Sequence, residues 1–392
     1  MIDTTLHQSD DIYCTEQHDL IRQTIRDFAE QEIKPVAKEL DEKEEFSIDM
    51  CRKMGEVGLF GINTPIKYGG HGMDTLSYII AVEELARIDG SHAATIAAHN
   101  SLGIGPILIA GSEQQKQDII PQLCTGEKLW GFGLTEPGAG SDSRNSKTTA
   151  QLDAGEWTIN GSKIFITNAA SEITLGSTVQ AITGTRPDGR KEFSTIIVMQ
   201  NTPGFEAREL HGKMMWRASN TAELYFDNVK VPEANLLGER GMGSKYMLKT
   251  LDGGRLSIAA MGLGCAQGAY ELALQYSKER EQFGKPISEF QSIAFKLADM
   301  AMKIELARNL LYKTCWMKDQ GKKITKHAAM AKLYCSEIAK EVADDSVQIH
   351  GGYGLMKEYD IERFYRDQRL LQIGEGTSEI QRIVISRQIL KD

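Results

Sequence analysis

The apolar residues of this 392-residue chain change their spacing twice, and this change limits the folds open to it. Up to residue 125 they recur every three or four positions, as on one face of a helix. From 126 to 240 they alternate as in strands, and from 241 to 392 the helical spacing returns. We therefore predict a mainly α-helical protein with three domains: an N-terminal helical domain, a middle antiparallel β domain and a C-terminal helical bundle.

Particular segments carry these expectations. Thr15 is predicted to cap the first helix, and Pro35 to bend that helix without necessarily ending it. Asn160-Gly161 stands between two short strand-like runs and predicts a two-residue hairpin turn. An apolar stripe over residues 293–311, at alternating steps of four and three, predicts a long bundle helix. A last helix is predicted to begin at Thr377.

Composition excludes several classes of function. The chain is 41% apolar and 25% charged, as ordinary globular proteins are. Its net charge of −9, with no block of five like charges, argues against a nucleic-acid partner. Its uninterrupted apolar runs are far shorter than the roughly 20 residues of a membrane span. The N-terminus carries no export or organelle address, so we expect a cytoplasmic bacterial protein, or a mitochondrial one only if a transit peptide has been removed.

Metal and nucleotide motifs find little support. The six cysteines include no CxxC pair and the eight histidines no HxxxH or HExxH pair, so we expect free thiols and no metal site. Residues 238–245 (GERGMGSK) resemble a phosphate loop, but the lysine is one position out of place and a surface turn accounts for them. Gly262-Leu-Gly264 lies in a helical run, where small residues permit close helix packing.

Two segments carry chemistry. Residues 130–142 (WGFGLTEPGAGSD) enter a Pro/Gly loop whose backbone N–H groups could contact a ring carbonyl or a phosphate oxygen, although a structural turn has the same composition. In residues 372–382 (QIGEGTSEIQR), Glu375 lies between two glycines just before a helix, so its carboxylate can enter a cavity with little obstruction. A dry cavity would raise the pKa of this carboxylate toward that of a general base. A charge that favours the helix dipole is the alternative.

Five ordered motifs give the chain a specific resemblance. They are LTEPGAGSD (134–142), FITNA (165–169), REQFGKPI (280–287), QIHGGYG (348–354) and EGTSEIQR (375–382). With these motifs the chain resembles acyl-CoA dehydrogenases, nearest to the short-chain, butyryl-CoA-type bacterial branch. The resemblance implies a four-helix bundle at the C-terminus, FAD between the β domain and the C-terminal helices, and a homotetramer. It also implies an acyl-CoA substrate and an electron-transferring flavoprotein as electron acceptor.

The same resemblance assigns roles to single positions. Those expected to contact FAD, some from a neighbouring subunit, are Phe132, Leu134, Thr135, Gly140, Ser141, Phe165, Ile166, Thr167, Arg280, Gln282, Phe283, Gln291, Gln348, Gly351, Gly352, Thr377 and Glu379. Those expected to contact the substrate are Ser141, Ser244, Asp252, Arg255, Gly374 and Gly376. Glu375 matches the base that removes the C2 proton while flavin N5 accepts the C3 hydride. Some branches place the base directly before the arginine that matches Arg255, but here that residue is Gly254.

Three departures from the family pattern concern the acyl group. Gly374 stands where many members have Tyr, Ser244 where Phe is common, and Met215 where a turn usually has Gly. Losing two aromatic residues could widen the pocket, so we hypothesise a branched or cyclic acyl group instead of butyryl. Residues 93–100 contain no Arg, which disfavours a glutaryl-type reaction. An oxidase that uses oxygen and a non-catalytic flavin- or acyl-CoA-binding member are the alternatives.

Overall fold

The N-terminal domain begins with a long helical rod in the computed structural model, which describes residues 12–391. Helix α1 (Glu16–Phe28) has Thr15 as its N-cap, as predicted, and the Thr15 N–H donates to His18 Nδ1 at 3.0 Å. A π-helical turn over Ala29–Ile33 leads into helix α2 (Lys34–Lys43). Pro35 lies in the first turn of α2, where a missing N–H is tolerated, so the helix continues past it.

Five further helices complete this domain. They are α3 (Ile48–Glu56), α4 (Thr75–Ala86), α5 (Gly90–Ala98), α6 (Gly105–Ala110) and α7 (Glu113–Leu123). Helix α4 is buried along its whole length because it lies between α1 and the C-terminal bundle. Residues Gly90–Ala110, which run from α5 through a π-helical turn to α6, have the length and apolar composition of a membrane-spanning helix. In this fold 61% of the most apolar 18 residues of that stretch are buried, as in the core helix of a folded protein.

A seven-stranded sheet forms the middle domain. Its strands are β1 (Leu129–Gly133), β2 (Thr149–Asp153), β3 (Glu156–Thr167), β4 (Thr174–Thr185), β5 (Lys191–Met199), β6 (Phe205–Glu209) and β7 (Thr221–Pro232). The strand order is β1-β4-β2-β3-β7-β6, with β5 paired to β4. The prediction of an antiparallel sheet is wrong in part, because β1 and β2 both pair with β4 in parallel. Neither strand is joined to β4 by a tight turn, and parallel pairing needs such longer connections.

The predicted hairpin turn at Asn160-Gly161 is also wrong. Strand β3 runs through these two residues, which lie at a shift in its pairing with β7. Gly161 has a φ of 141°, and a Cβ at this position would lie 2.6 Å from Thr148 Oγ1, so glycine is required by a close approach. The hairpin turn that joins β2 to β3 lies earlier, at Ala154-Gly155, where φ is 47° and 81°.

The C-terminal domain is the predicted helical bundle. Its helices are α8 (Gly243–Glu279), α9 (Gln291–Asp319), α10 (Thr325–His350), α11 (Ile361–Leu371) and α12 (Ser378–Ile389). A small hairpin, β8 (Glu281–Gln282) and β9 (Lys285–Pro286), follows α8. Helix α11 packs on both α8 and α10, whereas α12 packs on α10. The mainly α-helical fold with a central β domain is confirmed.

Close helix contacts in the bundle depend on two glycines. A Cβ on Gly262 would lie 2.7 Å from the carbonyl oxygen of Cys335 in α10. A Cβ on Gly264 would overlap the carbonyl group of Glu83 in α4. The glycine pair therefore lets α8 approach α10 on one side and α4 on the other, as the sequence predicts. Helix α8 is thus the axis on which the N-terminal domain and the bundle meet.

Candidate functional site

Glu375 lies in a tight turn between helices α11 and α12. Its φ is 52° and that of Gly376 is 95°, so two successive residues adopt the left-handed region. This region is uncommon for a residue with a side chain, and residues held there cluster at functional sites. Helix α12 is capped by Thr377, whose hydroxyl accepts from the Ile380 N–H at 3.3 Å. The acidic residue in the first turn of α12 is Glu379, and Glu375 lies two residues before the N-cap.

The carboxylate of Glu375 is directed at helix α8. A Cβ on Gly254 would overlap its Oε2 atom, so the glycine at this position creates the space that the carboxylate occupies. Oε2 is buried and has no hydrogen-bond partner among residues 12–391. Burial raises the pKa of Glu375 to about 7, and the nearby cations Lys332 and Arg255 offset only part of that rise. A carboxylate with this pKa can accept a proton near neutral pH.

Charged and hydroxyl groups surround this carboxylate. Arg255 of α8 pairs with Asp252, with 2.5 Å between Nη1 and Oδ1. Lys332 of α10 donates from Nζ to the Gly376 carbonyl oxygen at 2.8 Å. Tyr78 of α4 donates to the Ala97 carbonyl oxygen at 2.8 Å, and burial raises its pKa, with the charge of Glu375 adding to the rise. The sequence predicted Arg255 and Asp252 but not Lys332 or Tyr78.

A buried ion pair that was not predicted from the sequence shapes the loop over residues 134–142. Glu136 accepts from Lys163 Nζ at 2.8 Å and from the backbone N–H groups of Lys147 (2.6 Å) and Thr148 (3.1 Å). Lys163 also donates to the Leu134 carbonyl oxygen at 3.2 Å. Burial lowers the pKa of Lys163 to about 8, and the charge of Glu136 partly offsets this. The loop is therefore held in one conformation from inside the protein.

This loop meets the end of β3 beside the start of α8. The Ile164 N–H donates to the Thr135 carbonyl oxygen at 3.0 Å, which brings Thr135 next to Phe165. Phe132 and Leu134 pack with Met247 of α8. The positions expected to contact cofactor or substrate on this side form what we call the inner cluster: Thr135, Phe165, Asp252, Arg255 and Glu375.

The inner cluster has the features of a site for a flat, polar-edged ring. Phe165 is 66% exposed although it is a large apolar residue, and its φ of 61° turns it out of the strand. Gly138 and Gly140 have open space where a Cβ would project, and Ser141 is exposed. Phe132, Leu134 and Ile166 bury most of their side chains, which leaves their backbone groups as the main polar groups they can present to a ligand. These residues fit the flavin ring that the resemblance implies.

A second set of predicted positions lies at the other end of α8. This outer cluster consists of Arg280, Gln282, Phe283, Gln348, Gly351 and Gly352. Its members meet because Tyr276 of α8 stacks on His350 of α10, at 4.3 Å between ring centroids, and because Arg280 lies 5.6 Å from the ring centroid of Tyr353. Phe283 is 95% exposed and has a φ of 53°. Most of helix α8 separates the two clusters, about 38 Å at 1.5 Å per residue from Gly254 to Glu279.

The remaining predicted positions are distributed around these clusters. Ser244 lies in the first turn of α8 and Gln291 at the start of α9, where it is exposed. A Cβ on Gly374 would lie 3.5 Å from Leu370 Cδ2, an ordinary contact, so the backbone does not require glycine there. Trp216 lies next to α11 instead of beside the Glu375 carboxylate, and its backbone N–H donates to Asp367 Oδ1 at 2.8 Å. Within residues 12–391, no group of three or more His, Cys, Asp or Glu side chains is arranged to hold a metal ion.

Comparison with known proteins places the whole chain in one group. Its residues match three family models: the acyl-CoA dehydrogenase N-terminal domain over 15–127, the middle domain over 131–229 and the C-terminal domain over 241–390. The chain is 50% identical over 377 residues to a probable acyl-CoA dehydrogenase, YngJ, of Bacillus subtilis, covering 96% of this chain and 99% of that protein.

Two further relatives are informative. The chain is 43% identical over 384 residues to the caffeyl-CoA reductase–Etf complex subunit CarC of Acetobacterium woodii, covering 97% of this chain and 100% of that protein. The solved structure of butyryl-CoA dehydrogenase from Megasphaera elsdenii matches with a TM-score of 0.92 at 43% identity, covering 96% of this chain and 99% of that one. Both likenesses extend over nearly the full length of each chain.

Proposed function

The chain belongs to the acyl-CoA dehydrogenase family of FAD-dependent oxidoreductases in fatty acid β-oxidation, and from this premise we propose that Glu375 is its catalytic base. The observation that carries the proposal is the buried, unpartnered Oε2 of Glu375 beside Gly254. In this role Glu375 removes the C2 proton of an acyl-CoA thioester. FAD, when bound, supplies the acceptor for the C3 hydride.

The turn offers a second group to the reaction. The Glu375 N–H makes no hydrogen bond to any acceptor within the described residues 12–391. A free N–H next to the base can donate to the thioester carbonyl oxygen, where negative charge develops as the C2 proton leaves. Arg255 and Asp252, fixed by their mutual ion pair on α8, border the same space and are proposed to contact the substrate. The base and the polarising donor thus come from one residue.

We propose that the protein works as a homotetramer in which subunits share cofactor sites. The support is the separation of the inner and outer clusters along α8, about 38 Å, which no single FAD molecule spans. The outer cluster of one chain is therefore assigned to the cofactor of a neighbouring chain, and the exposed Phe283 is assigned to the contact between them. Light scattering should give the mass of four 43.5 kDa chains. A monomer that retains FAD would contradict this proposal.

For the acyl group we retain the hypothesis of a branched or cyclic chain. Its support is that the backbone does not require glycine at position 374, where a Cβ would make only an ordinary contact with Leu370, so the aromatic side chain of many family members is missing from a place it could occupy. The caffeyl-CoA reductase relative is named for an aromatic acyl group, whereas the Megasphaera elsdenii enzyme is named for butyryl-CoA. The thioesters to be tested therefore include both kinds of acyl group.

One experiment tests both the reaction and the substrate. Straight, branched and cyclic acyl-CoA thioesters are added anaerobically to the holoenzyme, and the loss of the oxidised flavin absorbance is followed. Bleaching by any of them supports the dehydrogenation, and its absence with all of them would contradict it. A straight C4 thioester that bleaches the flavin much faster than every branched or cyclic one would reject the acyl-group hypothesis alone.

We further propose an electron-transferring flavoprotein as the acceptor, because the relative CarC is named as a subunit of a complex with one. Slow reoxidation of the bleached enzyme in air supports this acceptor, and fast reoxidation supports the oxidase alternative. A cytoplasmic location is proposed on the bacterial origin of YngJ and CarC.

We propose three domains with limits at 1–125, 126–240 and 241–392. The end of α7 at Leu123 and the start of α8 at Gly243 support these limits.

A further inference from the structure

Lys332 is a buried lysine beside the Glu375 turn, in the middle of helix α10. Its side chain is 0% exposed, and it forms no ion pair with a carboxylate within residues 12–391. Its one hydrogen bond in that part of the chain runs from Nζ to the Gly376 carbonyl oxygen, at 2.8 Å. Because burying an ammonium group without a paired anion is costly, such a residue is retained only where its charge or its bond is used.

The bond from Lys332 fixes one side of the turn. Gln381 of α12 donates from Nε2 to the same Gly376 oxygen at 2.9 Å and to the Glu375 carbonyl oxygen at 3.3 Å. The turn holds two residues with positive φ, of which one is not glycine, so it needs such support to persist. Lys332 and Gln381 therefore both hold the turn in place by hydrogen bonds, but of the two only Lys332 is charged.

The charge of Lys332 is the least compensated one that faces Glu375. Arg255 of α8 is paired with Asp252, and Tyr78 of α4 contributes a hydroxyl group. On the lysine's own side, Glu337 of α10 is engaged by Ser378 and Arg382 of α12, and Glu379 of α12 is exposed. Among the described residues, Lys332 has the largest effect opposing the rise in the pKa of Glu375 that burial causes.

We propose that Lys332 is a positioning residue for the reaction: its ammonium group holds the Gly376 carbonyl, and its charge keeps the Glu375 carboxylate ionised in a dry site. The inference rests on the proposed role of Glu375 as the base. Lys332 itself touches neither the reacting carbon nor the proton. Its own pKa is lowered by burial to about 8 and partly restored by the charge of Glu375, so most of it is protonated at neutral pH.

The test separates the charge from the bond. Lys332→Met removes both, Gln381→Leu removes a neutral donor to the same carbonyl, and Lys340→Met removes an exposed lysine from the same helix as a matched control. For each holoenzyme, kcat/KM is measured from about pH 5.5 to 9.5, because its acid limb reports the pKa of the base in the free enzyme. In Lys332→Met we expect this limb to move up by about one pH unit or more.

The same shift is measured without turnover. Infrared spectra of each holoenzyme are recorded against pH, and subtracting the spectra of a matched Glu375→Gln protein isolates the protonated carboxyl band of residue 375. We expect this band to persist to a higher pH in Lys332→Met than in the wild type. Gln381→Leu and Lys340→Met should titrate as the wild type does. At pH 7 Lys332→Met should lose about five- to tenfold in rate and recover most of it near pH 9.

Each outcome decides the proposal. If Lys332→Met titrates as the wild type does, or if Gln381→Leu shifts the limb equally, the role of the charge is refuted. If Lys332→Met does not fold, Lys332→Arg keeps the charge, and a limb in its wild-type position with a reduced rate supports the proposal, whereas a moved limb refutes it. A fully active Glu375→Gln would contradict the base assignment itself, which is a different failure.

Discussion

Buried carboxylates stand in two regions of this chain with opposite surroundings. In helix α4, Glu84 accepts hydrogen bonds from Arg26 at 2.9 Å and from Arg87 at 3.2 Å. Burial would raise its pKa, but these arginines and Arg22 overcome that effect and lower the pKa to about 2. At Glu375, burial raises the pKa to about 7, because the cations there are fewer and Oε2 accepts no bond within residues 12–391.

The comparison shows that burial does not decide what a carboxylate does. A carboxylate enclosed by guanidinium groups is a fixed anion that ties helices together, and its proton affinity is too low for catalysis. A carboxylate left without donors is unstable as an anion, and for that reason it takes up a proton readily. The α4 region therefore serves the fold, whereas the turn at Glu375 serves the chemistry.

The largest expected effect is the loss of catalysis in Glu375→Gln. We expect the rate to fall at least about 10³-fold, because the proton acceptor is gone, while FAD absorbance and the tetramer are retained. The steady-state rate and the flavin spectrum check this, with the exposed Glu45→Gln as control. Near-normal turnover would remove the contrast between the two regions and force another base to be found.

The second effect concerns the fold. Glu84→Gln removes the ion-pair partner of Arg26, whereas Arg22 keeps Glu83 and Arg87 keeps Glu30 and Glu271. We therefore expect a loss of about 3 kcal/mol, at the low end for breaking a buried ion pair, and a lower melting temperature. Its control is Glu39→Gln, which breaks an exposed pair with Lys43 and should leave the melting temperature nearly unchanged. Equal melting temperatures for the Glu84 and Glu39 variants would show that the α4 network does not stabilise the fold.

The two regions should respond to pH with opposite sign. The pKa of Glu375 lies above its ordinary value of 4.5, so its contribution to stability falls as the pH rises from about 4.5 to about 7. Glu375→Gln avoids this, and we expect it to be more stable than the wild type by about 2–3 kcal/mol at pH 8 and equal to it near pH 4.5. Calorimetry of both holoenzymes at the two pH values measures the difference.

For Glu84 the sign is reversed. Its folded pKa of about 2 lies below 4.5, so its stabilising contribution is present above about pH 4.5 and is lost as the pH falls toward 2. The advantage of the wild type over Glu84→Gln should therefore shrink in acid. An advantage that stays constant between pH 7 and pH 3 would contradict the assignment of its pKa.

The smallest effect expected is at the edge of the same network. The Tyr312 hydroxyl donates to Glu83 Oε2 at 2.5 Å and accepts from Arg22 Nη2 at 2.9 Å. Tyr312→Phe removes both bonds while it keeps the ring, so we expect a loss of about 1–2 kcal/mol, measured by calorimetry. Tyr365→Phe, at a more exposed position of α11, is the control and should melt as the wild type does.

Local sequence was enough to predict the element types and the helix that follows Glu375, but not the pairing of strands. Asn-Gly has the same local signature in a hairpin turn and in an irregular strand, and only contact with Thr148 distinguishes them at residues 160–161. The parallel pairing of β1 with β4 is likewise a property of segments distant in sequence. Motif spacing could not supply either contact.

The buried lysines were missed for a related reason. Lys332 follows Ala331 and lies three residues before Cys335 and seven before Ala339, all of them buried, so its place on the apolar stripe of α10 was a usable signal. A lysine in a helix is usually exposed, however, and a single sequence does not show whether its ammonium group reaches solvent or is buried. Lys163 was hidden in the same way, because its partner Glu136 is far from it in sequence.

Gly254 limits how the position of the catalytic base can change during evolution. Any side chain at position 254 would enter the volume that the Glu375 carboxylate fills, so the flexible end of Glu375 would have to turn away from α8. A lineage that moved its base from this turn to helix α8 would therefore displace the carboxylate at position 375 as it gained an acid at position 254. Relatives with an acid at the position of Gly254 should therefore carry a residue other than an acid at the position of Glu375.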